Sequence, residues 1–263
     1  MGPSPPSQPP LPSFLIIGAQ KSATRWLRHN LGLHPDVYVA STELEFFNKP
    51  ARFETLGVDG YRELFEGWQH ERFVGESTPG YMFWQDRPDE TAERVQHVVP
   101  DVRLIAILRN PIDRAQSALV HHIAFQTLPR DTELLDLVRR TPPGDDPLGI
   151  VSGGWYAESL EPFRARFGER LLVLLHDDSD DDPRGAYDRA LCHIGLVPDF
   201  MPPQLERVRF SNQQGASRPG NGTRELTLDE RRDLYEYFRD DIDKLEEMLG
   251  RDLSLWDPER PSC

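Results

Sequence analysis

The chain has 263 residues, with 30 lysines and arginines against 44 aspartates and glutamates and a formal charge of -14; no global field draws it to nucleic acid or to an anionic membrane. Its two cysteines, Cys192 and Cys263, exclude a disulfide framework and a zinc-finger spacing. No apolar run approaches the ~18 residues of a membrane helix, while the length suffices for one substantial core and hence for an enzyme.

Residues 1–13, MGPSPPSQPPLPS, read as a flexible proline-rich leader without the charged and apolar regions of a secretion signal. With the sparse cysteines, this gives an expected cytoplasmic location. A buried-strand run follows at 14–17, then helix 23–32, strand 37–40, helix 59–66, strand 72–75, helix 89–98, strand 103–108, helices 111–124 and 153–167, strand 170–176 and helix 184–194. Such alternation predicts an α/β fold, a P-loop-like central parallel sheet with helices on both faces, in a single domain over 14–257 with a tail at 258–263. The stretch 141–152 is expected as a surface loop, and the acidic run 177–182 as a solvated loop after a strand. Near the end, Thr227 to Glu230 forms a capping box that opens a helix with Leu234, Phe238, Ile242, Leu245 and Leu249 on one stripe and Gly250 as its stop.

The chemistry starts where the first strand runs through Gly18, Ala19, Gln20, Lys21, Ser22, Ala23, Thr24 and Arg25 into the first helix. A turn of this kind aims backbone N–H groups and the positive helix end at an anion, with Lys21 as a mobile cation and Ser22 and Thr24 as hydroxyl donors. One glycine precedes the lysine where a Walker A loop has two, so the triphosphatase pattern is not met. The second candidate element is strand 103–108 running into Arg109-Asn110-Pro111, with Asn110 as N-cap and Pro111 at the first helical position. Arg109 stands where a P-loop triphosphatase carries the acidic residue that helps hold Mg²⁺. Asp113, Ser117 and His121 fall on one face of the helix that follows, and Ser117 is expected to share a phosphate with Arg109.

These segments resemble the sulfotransferases that use 3′-phosphoadenosine 5′-phosphosulfate (PAPS), most closely the carbohydrate branch that includes the heparan sulfate enzymes. Gly18 to Leu27 is similar to the family's 5′-phosphosulfate loop, and Arg109 with Ser117 to its 3′-phosphate motif. Leu33 to Val37 followed by Glu43-Leu44-Glu45-Phe46-Phe47 resembles the segment whose glutamate is the catalytic base. Gly75 to Tyr81 resembles the segment beside the acceptor, and Gly154-Trp155-Tyr156 a later family helix. The resemblance implies PAPS as donor with 3′,5′-ADP as product, Lys21 at the bridging and leaving oxygens, and Glu43 as general base. It also implies a substrate-side role for a histidine near His121, and a soluble, bacterial member is expected. Three departures stand out: Glu45 replaces a histidine, Ser77 replaces a second lysine, and the third cofactor segment is absent, leaving Arg218 in that region as a 3′-phosphate partner.

No metal is expected, because a lysine, a helix N-terminus and backbone amides already clasp the leaving group. The base remains open between Glu43 and His121. The expected acceptor is a hydroxyl on a small or carbohydrate-bearing molecule and not a polyanion, although Arg62, Arg87, Arg94 and Arg130 could line a groove. Two other classes stay in view: a P-loop-type nucleotide kinase, which would need Mg²⁺ and a triphosphate, and a non-catalytic nucleotide-binding module, which would not need Glu43.

Overall fold

A computed structural model describes residues 8–140, 145–205 and 224–260. Five strands, β1 (Phe14–Gly18), β2 (Val37–Val39), β3 (Phe73–Ser77), β4 (Arg103–Leu108) and β5 (Leu171–Leu175), form one sheet in the order β2-β3-β1-β4-β5. Every pairing is parallel. The period of two along β1 divides the core: Leu15 and Ile17 face one cluster with Leu104, Ala106 and Leu108, while Phe14 and Ile16 face the other with Ile105, Ile107 and Leu174. Helices α3 (Pro88–Val98), α4 (Pro111–Ala124), α6 (Tyr156–Phe167) and α9 (Leu228–Leu249) contribute to the first cluster. Helices α1 (Thr24–Leu31) and α8 (Pro183–Ile194) contribute to the second. A sheet buried on both faces is what the unbroken apolar runs of β1 and β4 require.

Five segments differ from the sequence reading. Helix α2 spans Pro50–Glu63, nine residues earlier than expected, because Gly57 at φ 58° kinks it and breaks the apolar period. Helix α5 (Leu134–Arg140) was not anticipated. Residues 177–182 are no solvated loop: helix α7 (His176–Asp181) covers most of the run, Asp177 accepts the Trp256 indole N–H at 3.0 Å, and Asp178 pairs with Arg251 and Arg189. Cations from distant elements neutralise a cluster that looks self-repelling in sequence, and its first acidic residues suit a helix N-terminus. The described part of 141–152 winds around buried Asp146, whose carboxylate accepts the N–H groups of Val151 at 2.7 Å and Ser152 at 2.8 Å. The end of the leader is docked as well: Leu11 packs on the core, Ser13 N donates to Val74 O at 2.7 Å, and Arg62 donates to Pro9 O.

Helix starts are closed by side chains at several places. Asn110 Oδ1 accepts from Ile112 N at the head of α4, and the Thr227–Glu230 capping box forms at the head of α9. Asp241 on α9 reaches across to the head of α6, accepting from Tyr156 N at 2.6 Å and Ala157 N at 3.1 Å. Among the described residues no helix is long and apolar enough to cross a membrane.

Candidate active site

Adjacent strands β1 and β4 end side by side, on the edge of the sheet where the chain switches from one side of β1 to the other, the usual position of a ligand crevice in an open α/β sheet. Beyond Gly18 the chain turns tightly over this edge, with Ala19 N donating to Ile107 O at 2.8 Å. Glycine at 18 leaves room for Met82, since a Cβ there would lie 2.4 Å from Met82 Sδ and force that buried side chain to move. Lys21 and Ala23 both take positive φ, 68° and 66°, the backbone that gathers successive N–H groups into an anion-binding concavity. Ala23 is the N-cap of α1 and no side chain among the described residues closes that end, so its first N–H groups keep the orphan character of a helix start.

Cations gather on this turn. Arg109 leaves the end of β4 and its Nη1 donates to Lys21 O at 3.4 Å, while its own carbonyl accepts the Tyr156 hydroxyl at 2.8 Å. Burial, together with Arg25, Arg109 and Arg114, lowers the Lys21 pKa. Among the described residues Lys21, Arg25, Arg109 and Arg114 form no salt bridge. Asp146 acts on Arg114 and Glu43 on Arg25, but neither is close enough for an ion pair, and repulsion from its neighbours still lowers Lys21; a cation set of this kind suits an anionic ligand. Arg114 is the member that the sequence reading missed. It is fully buried, donates from Nη2 to Ile150 O, and leaves Nε and Nη1 without partners. Its signal was its place on the apolar stripe of α4 with Pro111, Ala115 and Ala118, where a charge needs a reason.

The other expected site residues divide. Ser22 and Thr24 are buried, and the Ser22 hydroxyl sits inward near that of Tyr156. Arg25 is exposed, whereas Gln20, Ala23 and Ser117 are half-buried. Asp113 is engaged by Arg231. His121 lies by the cationic turn: burial and the charges of Lys21, His122 and Arg25 lower its pKa to about 4. Its ring meets that of Phe125 at 4.6 Å, and Phe125 is 71% exposed. Glu43 shares the neighbour Arg25. Its residue surface is exposed, yet the chain around the carboxyl removes enough water to raise its pKa, a shift that Glu45 reinforces and Arg28 and Arg25 oppose. Arg218 lies outside the described residues, as does all of 206–223 around it. Among the described residues no group of three or more His, Cys, Asp or Glu is placed to hold a metal.

Of the four arginines that could have lined a polyanion groove, three are engaged. Arg62 holds Pro9, Arg87 pairs with Glu90, and Arg94 binds Glu90 and the Phe47 carbonyl while lying over the Phe53 ring.

Comparison with known proteins gives a consistent picture. Residues 11–218 match the model of the sulfotransferase domain family. The chain is 30% identical to mouse heparan sulfate glucosamine 3-O-sulfotransferase 6 over 77% of its own length and 55% of that protein. It is 26% identical to human heparan sulfate glucosamine 3-O-sulfotransferase 3B1 over 94% of its length and 65% of the relative; it therefore spans under two thirds of either curated protein. Among solved structures, a sulfotransferase from Alicyclobacillus acidocaldarius superposes with a TM-score of 0.76 at 28% identity, covering 94% of this chain and 99% of that one. Mouse sulfotransferase SULT7A1, solved with PAP, shares the fold at a TM-score of 0.56 and 15% identity, over 92% of this chain and 90% of that one.

Proposed function

Since this chain belongs to the sulfotransferase domain family, we propose that it transfers a sulfuryl group from PAPS to a hydroxyl of a small or carbohydrate-bearing acceptor, with Glu43 as general base. The observation that carries the reading is the uncapped turn at 18–25, with positive φ at Lys21 and Ala23, beside Lys21, Arg25, Arg109 and Arg114, none of which forms a salt bridge among the described residues. Such a donor set fits a phosphosulfate, whose oxygens would take the N–H groups of the turn and the cations around it. When bound, PAPS supplies an SO₃ group on a leaving phosphate. Lys21 neutralises charge that builds on the leaving oxygen, and Arg109 with Ser117 holds the second phosphate, so that positioning and charge stabilisation supply most of the rate.

The acceptor must lose its proton. Burial moves Glu43 upward, toward the range of an effective base at neutral pH, and moves His121 down to about 4, away from it. A neutral His121 is left to accept a hydrogen bond from the acceptor. The engagement of Arg62, Arg87 and Arg94 and the nearby pair Glu43 and Glu45 disfavour a polyanion. The exposed Phe125 ring beside His121 suits the apolar face of a sugar or a phenol.

Calorimetry with 3′,5′-ADP in EDTA tests the donor: binding that is lost in Arg109→Ala is expected, and a preference for Mg·ATP would replace the reading by a kinase. A panel of neutral p-nitrophenyl glycosides and 2-naphthol, run against desulfated heparin fragments with PAPS, tests the acceptor. Selective sulfation of the polymer, falling steeply with salt, would overturn the small-acceptor claim.

A further inference from the structure

Glu76, near the end of β3, has no accessible surface, and its carboxylate takes three hydroxyl donors: Tyr61 at 2.5 Å, Tyr81 at 2.8 Å and Thr78 at 2.9 Å. A buried carboxylate is costly unless hydrogen bonds compensate it, and an apolar side chain would fill the same space more cheaply. What the three donors share is a second set of contacts. Thr78 Oγ1 accepts the N–H groups of Leu44 at 3.0 Å and Glu45 at 3.4 Å. The Tyr61 ring stacks on Phe46 with centroids 4.1 Å apart and planes 6° from parallel, and the Tyr81 ring meets Phe47 edge-on at 5.5 Å. Each partner of Glu76 therefore grips the segment 44–47, immediately after Glu43, and Tyr61 meets Phe47 as well, at 5.1 Å.

The Glu43 side chain itself has no hydrogen bond or salt bridge among the described residues. Its backbone is what places it, and that backbone is anchored at the next residue. Glu45, whose N–H reaches Thr78, holds φ at 48°, a conformation a non-glycine residue keeps only where its surroundings over-determine it.

We propose that Glu76 is a positioning residue for sulfuryl transfer: through Thr78, Tyr61 and Tyr81 it fixes the backbone of 44–47 and thereby the place of the Glu43 carboxylate on the acceptor side of the site. The inference rests on the reading of Glu43 as base. Its expected size follows from geometry, since a misplacement of about 1 Å in a reacting group can lower the rate about 100-fold.

Thr78→Val is the decisive substitution, because it removes at nearly constant volume the hydroxyl that bonds both Glu76 and the Leu44 and Glu45 N–H groups. With PAPS and the best acceptor of the glycoside and naphthol panel, kcat should fall roughly 10- to 100-fold while 3′,5′-ADP affinity stays within about twofold. Thr78→Ser should recover most of the loss. In a Glu43→Gln background Thr78→Val should lower kcat no further, the mark of two changes that act through one group. Independently of any acceptor, amide exchange should quicken at 43–47 and not at 18–27. Unchanged exchange at 43–47, a wild-type kcat, or a loss of 3′,5′-ADP affinity that matches the loss of kcat would each overturn the proposal. Should Thr78→Val fail to fold, Tyr81→Phe removes one donor to Glu76 and is read by the same measurements, with an unchanged kcat and exchange counting against it. A fully active Glu43→Gln would remove the base reading and this inference with it; an impaired Glu43→Gln beside a fully active Thr78→Val would remove this inference alone.

Discussion

At the head of α9, Thr227 Oγ1 accepts the Glu230 N–H at 3.3 Å and the Glu230 carboxylate accepts the Thr227 N–H at 2.8 Å, whereas at the head of α1 the N-cap is Ala23 and no side chain among the described residues plays either part. The two ends face the same problem, since the first turn of any helix leaves N–H groups without partners. The protein solves it locally at α9, through Asn110 at α4 and through Asp241 at α6. Among the described residues, the head of α3 is also open at a positive-φ N-cap, but its Arg87 is paired with Glu90, whereas α1 joins an open end and positive φ at Lys21 and Ala23 to cations that form no salt bridge. Where the chain closes a helix the end serves stability; at α1, on the function proposed above, the unsatisfied donors serve the phosphosulfate.

The largest expected effects break that contrast at the open end. Lys21→Ala removes the cation that the turn presents, so 3′,5′-ADP affinity and kcat should fall together. Glu43→Gln should leave 3′,5′-ADP affinity nearly intact and lower kcat by ~100-fold or more, the signature of a lost base. Calorimetry beside steady-state kinetics separates the two. An active Glu43→Gln with an inactive His121→Ala would hand the base to His121.

A closed end gives the next effect, and its sign depends on pH. Burial raises the Asp241 pKa to about 6, against the pull of the three helix N–H groups at Tyr156, Ala157 and Glu158. A carboxyl whose folded pKa lies above its unfolded value of 3.8 favours the fold most below 3.8, and this contribution is lost as pH rises through about 6. Asp241→Asn keeps one acceptor and cannot titrate. It should destabilise the protein by about 1–2 kcal/mol at pH near 4, and the gap to wild type should narrow toward neutrality. Urea unfolding at both pH values measures the difference; a gap that widens with pH would mean that the carboxylate form is the better cap.

How these ends read in sequence follows from the range of the contacts that build them. The α9 box lies within four residues and the Asn110 cap within three, so spacing alone located both, as alternating apolar runs located the parallel sheet. Lys21 and Arg109 were legible because each follows a buried strand, and strand ends in such a sheet converge. Asp241 was not legible, because its partners lie on another helix and no local pattern links them. Arg114 and Glu76 were missed for a similar reason: one is a charge on an apolar helix stripe, the other a carboxylate inside a strand, and only tertiary contacts supply their partners. The acidic run at 177–182 misled because Arg251 and Arg189, which neutralise it, come from other elements.

Thr227→Ala isolates a cap with no ligand to serve. It should lower stability by about 1 kcal/mol and leave kcat and 3′,5′-ADP affinity at wild-type values. A loss of binding would show that α9 communicates with the cationic turn and would blur the division between closed and open ends.

The smallest effects are expected at Ala23 itself. Its φ of 66° is unfavourable for an alanine, roughly 1 kcal/mol in a left-handed position, and glycine relieves that strain. Glycine also gives the unfolded chain more freedom, which opposes folding by about 0.5–1 kcal/mol. The two terms nearly cancel, so Ala23→Gly should move stability by no more than about 0.5 kcal/mol. Ala23→Ser makes the sharper comparison. A serine cap acts from the extended region of backbone space, as Thr227 does at ψ 163°, and a residue held at φ 66° is in the wrong place to turn its hydroxyl onto the following N–H groups. The added hydroxyl should therefore bring no stability, and 3′,5′-ADP should bind as before. If Ala23→Ser instead gains about 1 kcal/mol, the increment of an ordinary cap, and weakens 3′,5′-ADP in calorimetry, then the open end can be closed from within. Its emptiness would then reflect the choice of one side chain, and the positive-φ turn would no longer explain why the donors of α1 stay available.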